Sequence, residues 1–288
     1  MPEGDTVWRT ANRLNRALAG APISLCDLRF PEIATVDVRG SMTTEVISVG
    51  KHLLHRLDSG LTIHSHLKME GQWRLERPDA TGSWLRRADL RAAVGTDSWV
   101  ALGLRLGLLE VLPTNRESEV VGHLGPDVLG PDWDPADAAA RLAGSETVIG
   151  AALLDQRLLA GVGTMWAAES LFLERLGPWT PSSDLDAPSV AALVDRIHSL
   201  MDQGRHHAVQ SSTGSRRRGE ELYAHARSGR PCRRCGDTVR VAMIGRTGLE
   251  RTMFYCPACQ GGLAPHDDGK PQRPLGSSKG RTTPYRRA

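Results

Sequence analysis

Four of the five cysteines stand in two close pairs, Cys232-Arg-Arg-Cys235 and Cys256-Pro-Ala-Cys259, with twenty residues between the pairs. Two CxxC knuckles at that separation predict a structural four-thiolate zinc site carried on a β-hairpin. Four thiolates leave no open position for water, so the metal would organise the hairpin and take no part in chemistry. Disulfide pairing is the alternative reading of the same residues. It fits poorly with a start that is unlike a signal peptide and with Cys26, which lies far from both pairs.

The charge distribution points the same region at a polyanion. Net charge over the 288 residues is only +3, but residues 214–260 hold ten arginines against four acids, and residues 261–288 hold six basic residues against two aspartates. Positive charge gathered around a small zinc hairpin suggests DNA or RNA as partner. The length allows two domains, each with its own core. No apolar run approaches the roughly 20 residues of a membrane span, so no membrane partner is expected. A cytoplasmic, nucleoid-associated monomer of bacterial type is a separate expectation.

Along the chain, Val7, Ala11, Leu14 and Leu18 recur at helical spacing. They predict a helix over 6–19, capped by Asp5 or Thr6 and ended by Gly20. From about Ile23 to Val111 short β-like runs follow, among them 45-EVISV, 53-LLHRL, 61-LTIHSHL and 108-LLEVL. They suggest an antiparallel sandwich or barrel. The Pro/Gly/Asp-rich stretch 122–135 reads as a linker between a domain over 1–121 and a helical domain over 136–213, with helices over 136–144, 147–159, 165–175 and 187–203. Residues 204–231 read as a flexible basic loop, 214–260 as loop plus zinc finger, and 261–288 as a disordered basic tail.

The N-terminus, Met1-Pro2-Glu3-Gly4-Asp5, has chemistry of its own. Removal of Met1 would leave Pro2 as a secondary amine, with a reference pKa of about 7.7–8, beside a carboxylate. Such an amine attacking a sugar C1′ gives an iminium directly, and Glu3 can supply the proton a departing group needs. Taken alone, these five residues also read as an ordinary disordered start.

With both ends in view, the chain resembles the formamidopyrimidine-DNA glycosylase and endonuclease VIII family, closer to the endonuclease VIII branch. Four signatures carry the resemblance, in the family's order: Pro2-Glu3-Gly4, Gly50-Lys51 before a β run, 153-LLDQRLLAGVGTMWAAE, and 251-RTMFYCPACQ. It implies an α+β fold: an N-terminal helix plus antiparallel β-sandwich, then a helix–two-turn–helix domain with a four-cysteine zinc β-hairpin. It implies a catalytic set of Pro2 (Schiff-base nucleophile), Glu3 (proton donor), Lys51 (sugar opening and β-elimination) and Arg251, which also grips the phosphates flanking the lesion.

The other positions implied to touch DNA are Lys68, Met69, Arg105, His123, Gly161, Gly163 and Thr164. Met69 would fill the hole left by a flipped base, with Lys68 and Glu70 beside it and Arg105-Leu106-Gly107 as a second insertion loop. The bland reading of Met69 is a core residue in a strand. Gly161 and Gly163 would let the backbone approach phosphate, with Thr164 standing where the family commonly has Asn. Glu169 is expected to brace a loop. His64 and His66 alternate along a strand and need not be ligands.

The implied activity is bifunctional: excision of oxidised bases in base-excision repair, followed by β,δ-elimination at the resulting abasic site in duplex or single-stranded DNA. The Pro-Glu-Gly start favours oxidised pyrimidines, and Met69 speaks for oxidised purines. A reading of another class is a non-catalytic zinc-ribbon DNA-binding protein.

Overall fold

The computed structural model describes residues 2–274, and the chain divides into two compact units that meet at Gly130 and Pro131. The first unit opens with α1 (Gly4–Leu18), whose Val7, Ala11, Leu14 and Leu18 are all buried. The helix starts two residues earlier than its apolar period suggests. Glu3 occupies the N-cap without a side-chain cap bond, so neither Asp5 nor Thr6 is the cap. Gly20 follows the helix with φ 76°, a conformation glycine adopts without strain.

Eight strands follow: β1 (Leu25–Leu28), β2 (Thr43–Val49), β3 (His52–Leu57), β4 (Leu61–His66), β5 (Gln72–Glu76), β6 (Leu90–Gly95), β7 (Val100–Leu104) and β8 (Leu108–Pro113). They form two antiparallel four-stranded sheets, ordered β1-β6-β7-β5 and β2-β3-β4-β8. Val46, Leu53, Leu57, Ile63 and Leu109 from one sheet meet Ala92, Val94 and Ala101 from the other, and α1 joins the same core. Asn15 of α1 accepts from the Val46 backbone N–H at 2.8 Å, which fixes the helix against β2.

The sheets differ on their outer faces. On β7 every residue is buried, because Trp84 and Leu85 cover its second face over Leu90, Val100, Leu102 and Leu104. The outer face of the β2-β3-β4-β8 sheet carries a set of polar side chains. There Arg56 makes paired hydrogen bonds to Glu117, and Thr62 donates to the same carboxylate at 2.6 Å. Glu117 immediately precedes a single helical turn, α2 (Ser118–Val121).

The second unit contains α3 (Pro135–Ala143), α4 (Ile149–Ala152), α5 (Thr164–Leu173) and α6 (Ala187–Arg205), then a hairpin of β9 (Arg240–Ile244) and β10 (Arg251–Tyr255). Asp134 caps α3 by accepting from Ala136 and Asp137, and Asp186 caps α6 by accepting from Ser189. Residues Thr164 to Phe172 of α5 are all buried, so it is the central helix of this unit. The helix expected over 147–159 ends at Ala152. Asp155 then accepts from the Arg157 backbone N–H at 3.0 Å, a local turn that competes with helix continuation.

Two expectations about irregular segments change. The Glu169 carboxylate of α5 accepts from the backbone N–H groups of Tyr223, Ala224 and His225 and from the Ser212 hydroxyl. Part of the expected flexible loop is therefore pinned. Beyond Gln260, Asp267 pairs with Arg240 and accepts from the Tyr255 hydroxyl at 2.6 Å. Gln272 brackets the Val241 backbone at 2.8 and 3.0 Å. Composition alone reads this stretch as disordered, but specific polar contacts hold it to the hairpin up to Gln272. The rest of the tail, from residue 275, lies outside the described residues. No helix among the described residues is long and apolar enough to cross a membrane.

Candidate active site and nucleic-acid interface

In the first unit, Pro2 precedes Glu3, the N-cap of α1, and Glu3 is only 1% exposed. Lys51 sits in the tight turn between β2 and β3, next to Gly50 with φ 58°. That turn is braced by Asp127, whose Oδ2 accepts from the Gly50 N–H at 2.8 Å while its Oδ1 accepts from Leu129 at 3.1 Å. Burial raises the Asp127 carboxyl above the usual carboxylate range, and these two backbone donors oppose that shift. Nothing in a linear reading singles out Asp127, since it is 77 residues from the turn it supports.

Two further turns come together at the ends of the strands. Lys68 has φ 53° and Arg105 φ 49°, left-handed conformations that side chains other than glycine rarely adopt. The turns abut so closely that a Cβ on Gly107 would collide with the Lys68 side chain. Arg105 is held by a backbone hydrogen bond from its N–H to the Asp89 carbonyl at 2.8 Å, and its guanidinium lies 3.9 Å from Glu70. Met69 is 63% exposed at the tip, which excludes the core reading, while Leu106 anchors the neighbouring turn in the core. Exposed His123 stands with its ring 6.3 Å from that of His52.

In the second unit, Gly161 has φ 97° and Gly163 is the N-cap of α5. Gln156 shapes this connection: its Oε1 accepts from the Gly161 N–H at 3.0 Å and its Nε2 donates to the Val162 carbonyl at 2.9 Å. Thr164, first residue of α5, is 8% exposed, so its hydroxyl offers little surface to an outside anion. Arg251 opens β10, is exposed, and has no side-chain partner among the described residues.

The four knuckle cysteines converge as their spacing predicts. Their sulfurs all lie within 4.8 Å of one another, with Cys232–Cys259 at 3.9 Å and Cys235–Cys256 at 3.5 Å. All are free thiols, so the disulfide reading falls. Sulfurs about 2.3 Å from a tetrahedral metal would be roughly 3.8 Å apart, so the cluster has the dimensions of a four-thiolate metal site.

Two family models match the chain: the formamidopyrimidine-DNA glycosylase N-terminal domain over residues 1–101 and the formamidopyrimidine-DNA glycosylase H2TH domain over residues 124–216. A probable endonuclease 8 2 of Streptomyces coelicolor is 45% identical over 94% of the chain and 98% of that protein. The DNA-(apurinic or apyrimidinic site) lyase Nei2 of Mycolicibacterium smegmatis is 41% identical over 90% of the chain and 99% of that protein. Among solved structures, Lactococcus lactis formamidopyrimidine-DNA glycosylase bound to DNA containing an abasic site is similar with a TM-score of 0.76. It is 23% identical and covers 90% of the chain and 99% of its own.

Proposed function

The chain belongs to the formamidopyrimidine-DNA glycosylase and endonuclease 8 family, and from that premise we propose that it is a DNA glycosylase and abasic-site lyase of base-excision repair. The observation that carries the reaction is the N-terminus itself, where Glu3, a residue only 1% exposed, adjoins the residue that becomes the chain's amine when Met1 is removed. The positive end of α1 disfavours a cation at Pro2 and so favours the neutral, nucleophilic amine. Pro2 attacks C1′ and expels the damaged base, Glu3 provides a proton, and the resulting iminium activates the sugar for β- and then δ-elimination with Lys51 assisting.

Arg251 and the Gly161–Gly163 turn bind backbone phosphates. The exposed guanidinium suits bidentate contact, and the turn leads into the N-terminus of α5. Met69, with Lys68 and Arg105 beside it, fills the space of the flipped base, and His123 is a further phosphate contact. The metal held by Cys232, Cys235, Cys256 and Cys259 is zinc, because four thiolates in a closed set are its usual structural environment. It holds the hairpin and leaves the reaction to the side chains.

Oxidised pyrimidines are the preferred lesions. The Pro-Glu-Gly start and the endonuclease 8 relatives support this reading. The exposed Met69 beside the Arg105 turn favours oxidised purines as the second reading. Strand cleavage measured on duplexes containing thymine glycol, 5-hydroxyuracil, 8-oxoguanine or a preformed abasic site tests both. Cleavage of the abasic duplex with preference for the pyrimidine lesions is expected. Tight DNA binding without cleavage of any substrate would favour the non-catalytic zinc-ribbon protein.

A further inference from the structure

The outer face of the β2-β3-β4-β8 sheet carries a directed chain of hydrogen bonds. His64 on β4 is directly opposite Glu110 on β8, and His52 on β3 stacks on His64 with ring centroids 5.1 Å apart. His64 Nδ1 lies 2.6 Å from Glu110 Oε1, and His64 Nε2 lies 2.8 Å from His52 Nδ1. With the carboxylate ionised and the ring neutral, His64 donates from Nδ1 to Glu110 and presents Nε2 as an acceptor. His52 must then donate from Nδ1, which leaves its Nε2 as a proton acceptor. The His64 side chain is 2% exposed and that of Glu110 43%, so the chain runs from solvent through a buried ring to His52.

The surroundings of His52 favour passage of a proton over storage. His66 meets His52 edge-on at 5.1 Å, and its Nδ1 accepts from the Lys68 backbone N–H at 2.9 Å. His123 faces His52 from the segment after α2. Lys51 and Lys68 act electrostatically on His66, and Lys68 acts on His52. Glu117, already engaged by Arg56 and Thr62, faces His64. Burial first, and the neighbouring imidazoles and Lys68 next, push His52 down to about 3. A proton arriving there moves on towards the carboxylate.

We propose that Glu110, His64 and His52 form a proton relay serving the elimination chemistry at Lys51, an inference that rests on the reading of Lys51 as the lyase lysine. In β-elimination a sugar C–H bond breaks, its electron pair becomes the new C=C bond, and the phosphate leaves with the C–O pair. The proton released is taken by His52 Nε2 as the His52 Nδ1 proton passes to His64 Nε2 and the His64 Nδ1 proton passes to Glu110 and water. After the product leaves, the path runs in reverse: Glu110 returns a proton to His64 Nδ1, His64 Nε2 gives its proton to His52 Nδ1, and His52 Nε2 releases its proton to water in the vacated site, which restores both rings.

Glu110→Gln tests the relay, because glutamine Oε1 still accepts from His64 Nδ1 while the proton sink is gone. Single-turnover cleavage of a preformed abasic site, with saturating enzyme between pH 5.5 and 8.5, is compared for wild type, Glu110→Gln, Glu110→Asp and Lys51→Ala, with DNA affinity measured alongside. The relay predicts that Glu110→Gln cleaves about tenfold or more slowly, since positioned proton transfer contributes roughly 10²–10⁴-fold. Its affinity stays within about twofold of wild type, its rate gains a dependence on buffer concentration, and Glu110→Asp recovers most of the loss. Wild-type rate and pH profile in Glu110→Gln, or a rate loss that tracks lost affinity, overturns the relay. If Lys51→Ala is inactive in that case, the lysine assignment stands and the relay alone falls. A Lys51→Ala protein that cleaves normally overturns the lysine assignment and the relay with it.

Discussion

Replacing Asp267 by asparagine should destabilise the hairpin although the residue lies beyond Cys259, the last of the four clustered cysteines. The Asp267 and Arg240 side chains are 4% and 7% exposed, and Arg240 meets the carboxylate through both Nε, at 2.6 Å, and a terminal nitrogen. The same guanidinium donates to the Lys270 carbonyl at 2.8 Å, and the Tyr255 hydroxyl donates to Asp267. Asparagine keeps the shape but leaves a buried cation without its countercharge, and breaking a buried pair on one side typically costs about 3–5 kcal/mol. For a unit of roughly 150 residues, in which 1 kcal/mol moves Tm by about 2–4 °C, a 3 kcal/mol loss lowers Tm by roughly 6–12 °C. Calorimetry on the zinc-loaded full chain resolves this, with truncation after Pro274 as the control. The truncated protein should melt like wild type and lose only the slope of affinity against salt that basic residues beyond 274 contribute. A change below about 1 kcal/mol in Asp267→Asn would refute the idea that this stretch is part of the folded hairpin.

Cys256→Ser should lose the metal and DNA binding while the first unit stays folded; metal stoichiometry near one zinc in wild type and near zero in the variant, with a retained unfolding transition, checks this. His55, buried on the core side of β3 with Nε2 2.8 Å from the Thr43 hydroxyl, is pushed down by burial to about 4 from 6.5. The unfolded chain therefore takes up a proton in that window that the folded protein refuses. His55 should add stability as pH rises from about 4 to 6.5, by up to about 3 kcal/mol, lost again on acidification. The slope of urea midpoints across that range should decrease in His55→Gln, the remainder coming from His52, His66 and His225. Gly161→Ala forces a side chain into φ 97°, at a cost of roughly 1–3 kcal/mol. Abasic-site DNA affinity should fall about tenfold by fluorescence anisotropy, with zinc content unchanged.

Legibility followed the side chains that repeat or chelate. The period of Val7, Ala11, Leu14 and Leu18 exposes α1, and the alternation through β2, β3, β4 and β8 exposes one sheet, because each has one face in the core. Strand β7 is buried on both faces and shows no alternation, so it is indistinct in the linear sequence. The four clustered cysteines are readable because knuckle spacing is local. The brace of Gly50 by Asp127 and the pairing of His64 with Glu110 arise from register between segments 77 and 46 residues apart, which no local pattern reports. Composition misreads residues 261–272 for a related reason. Asp267 and Gln272 look like polar filler until Arg240 and the Val241 backbone stand opposite them.

Borohydride trapping on abasic-site DNA, followed by proteolysis and mass spectrometry of the cross-linked peptide, tests the central claim most directly. The account predicts a single adduct on the amine of Pro2, in protein from which Met1 has been removed. Adduct formation at Lys51 or another internal lysine, or cleavage-competent protein that retains Met1, would contradict it.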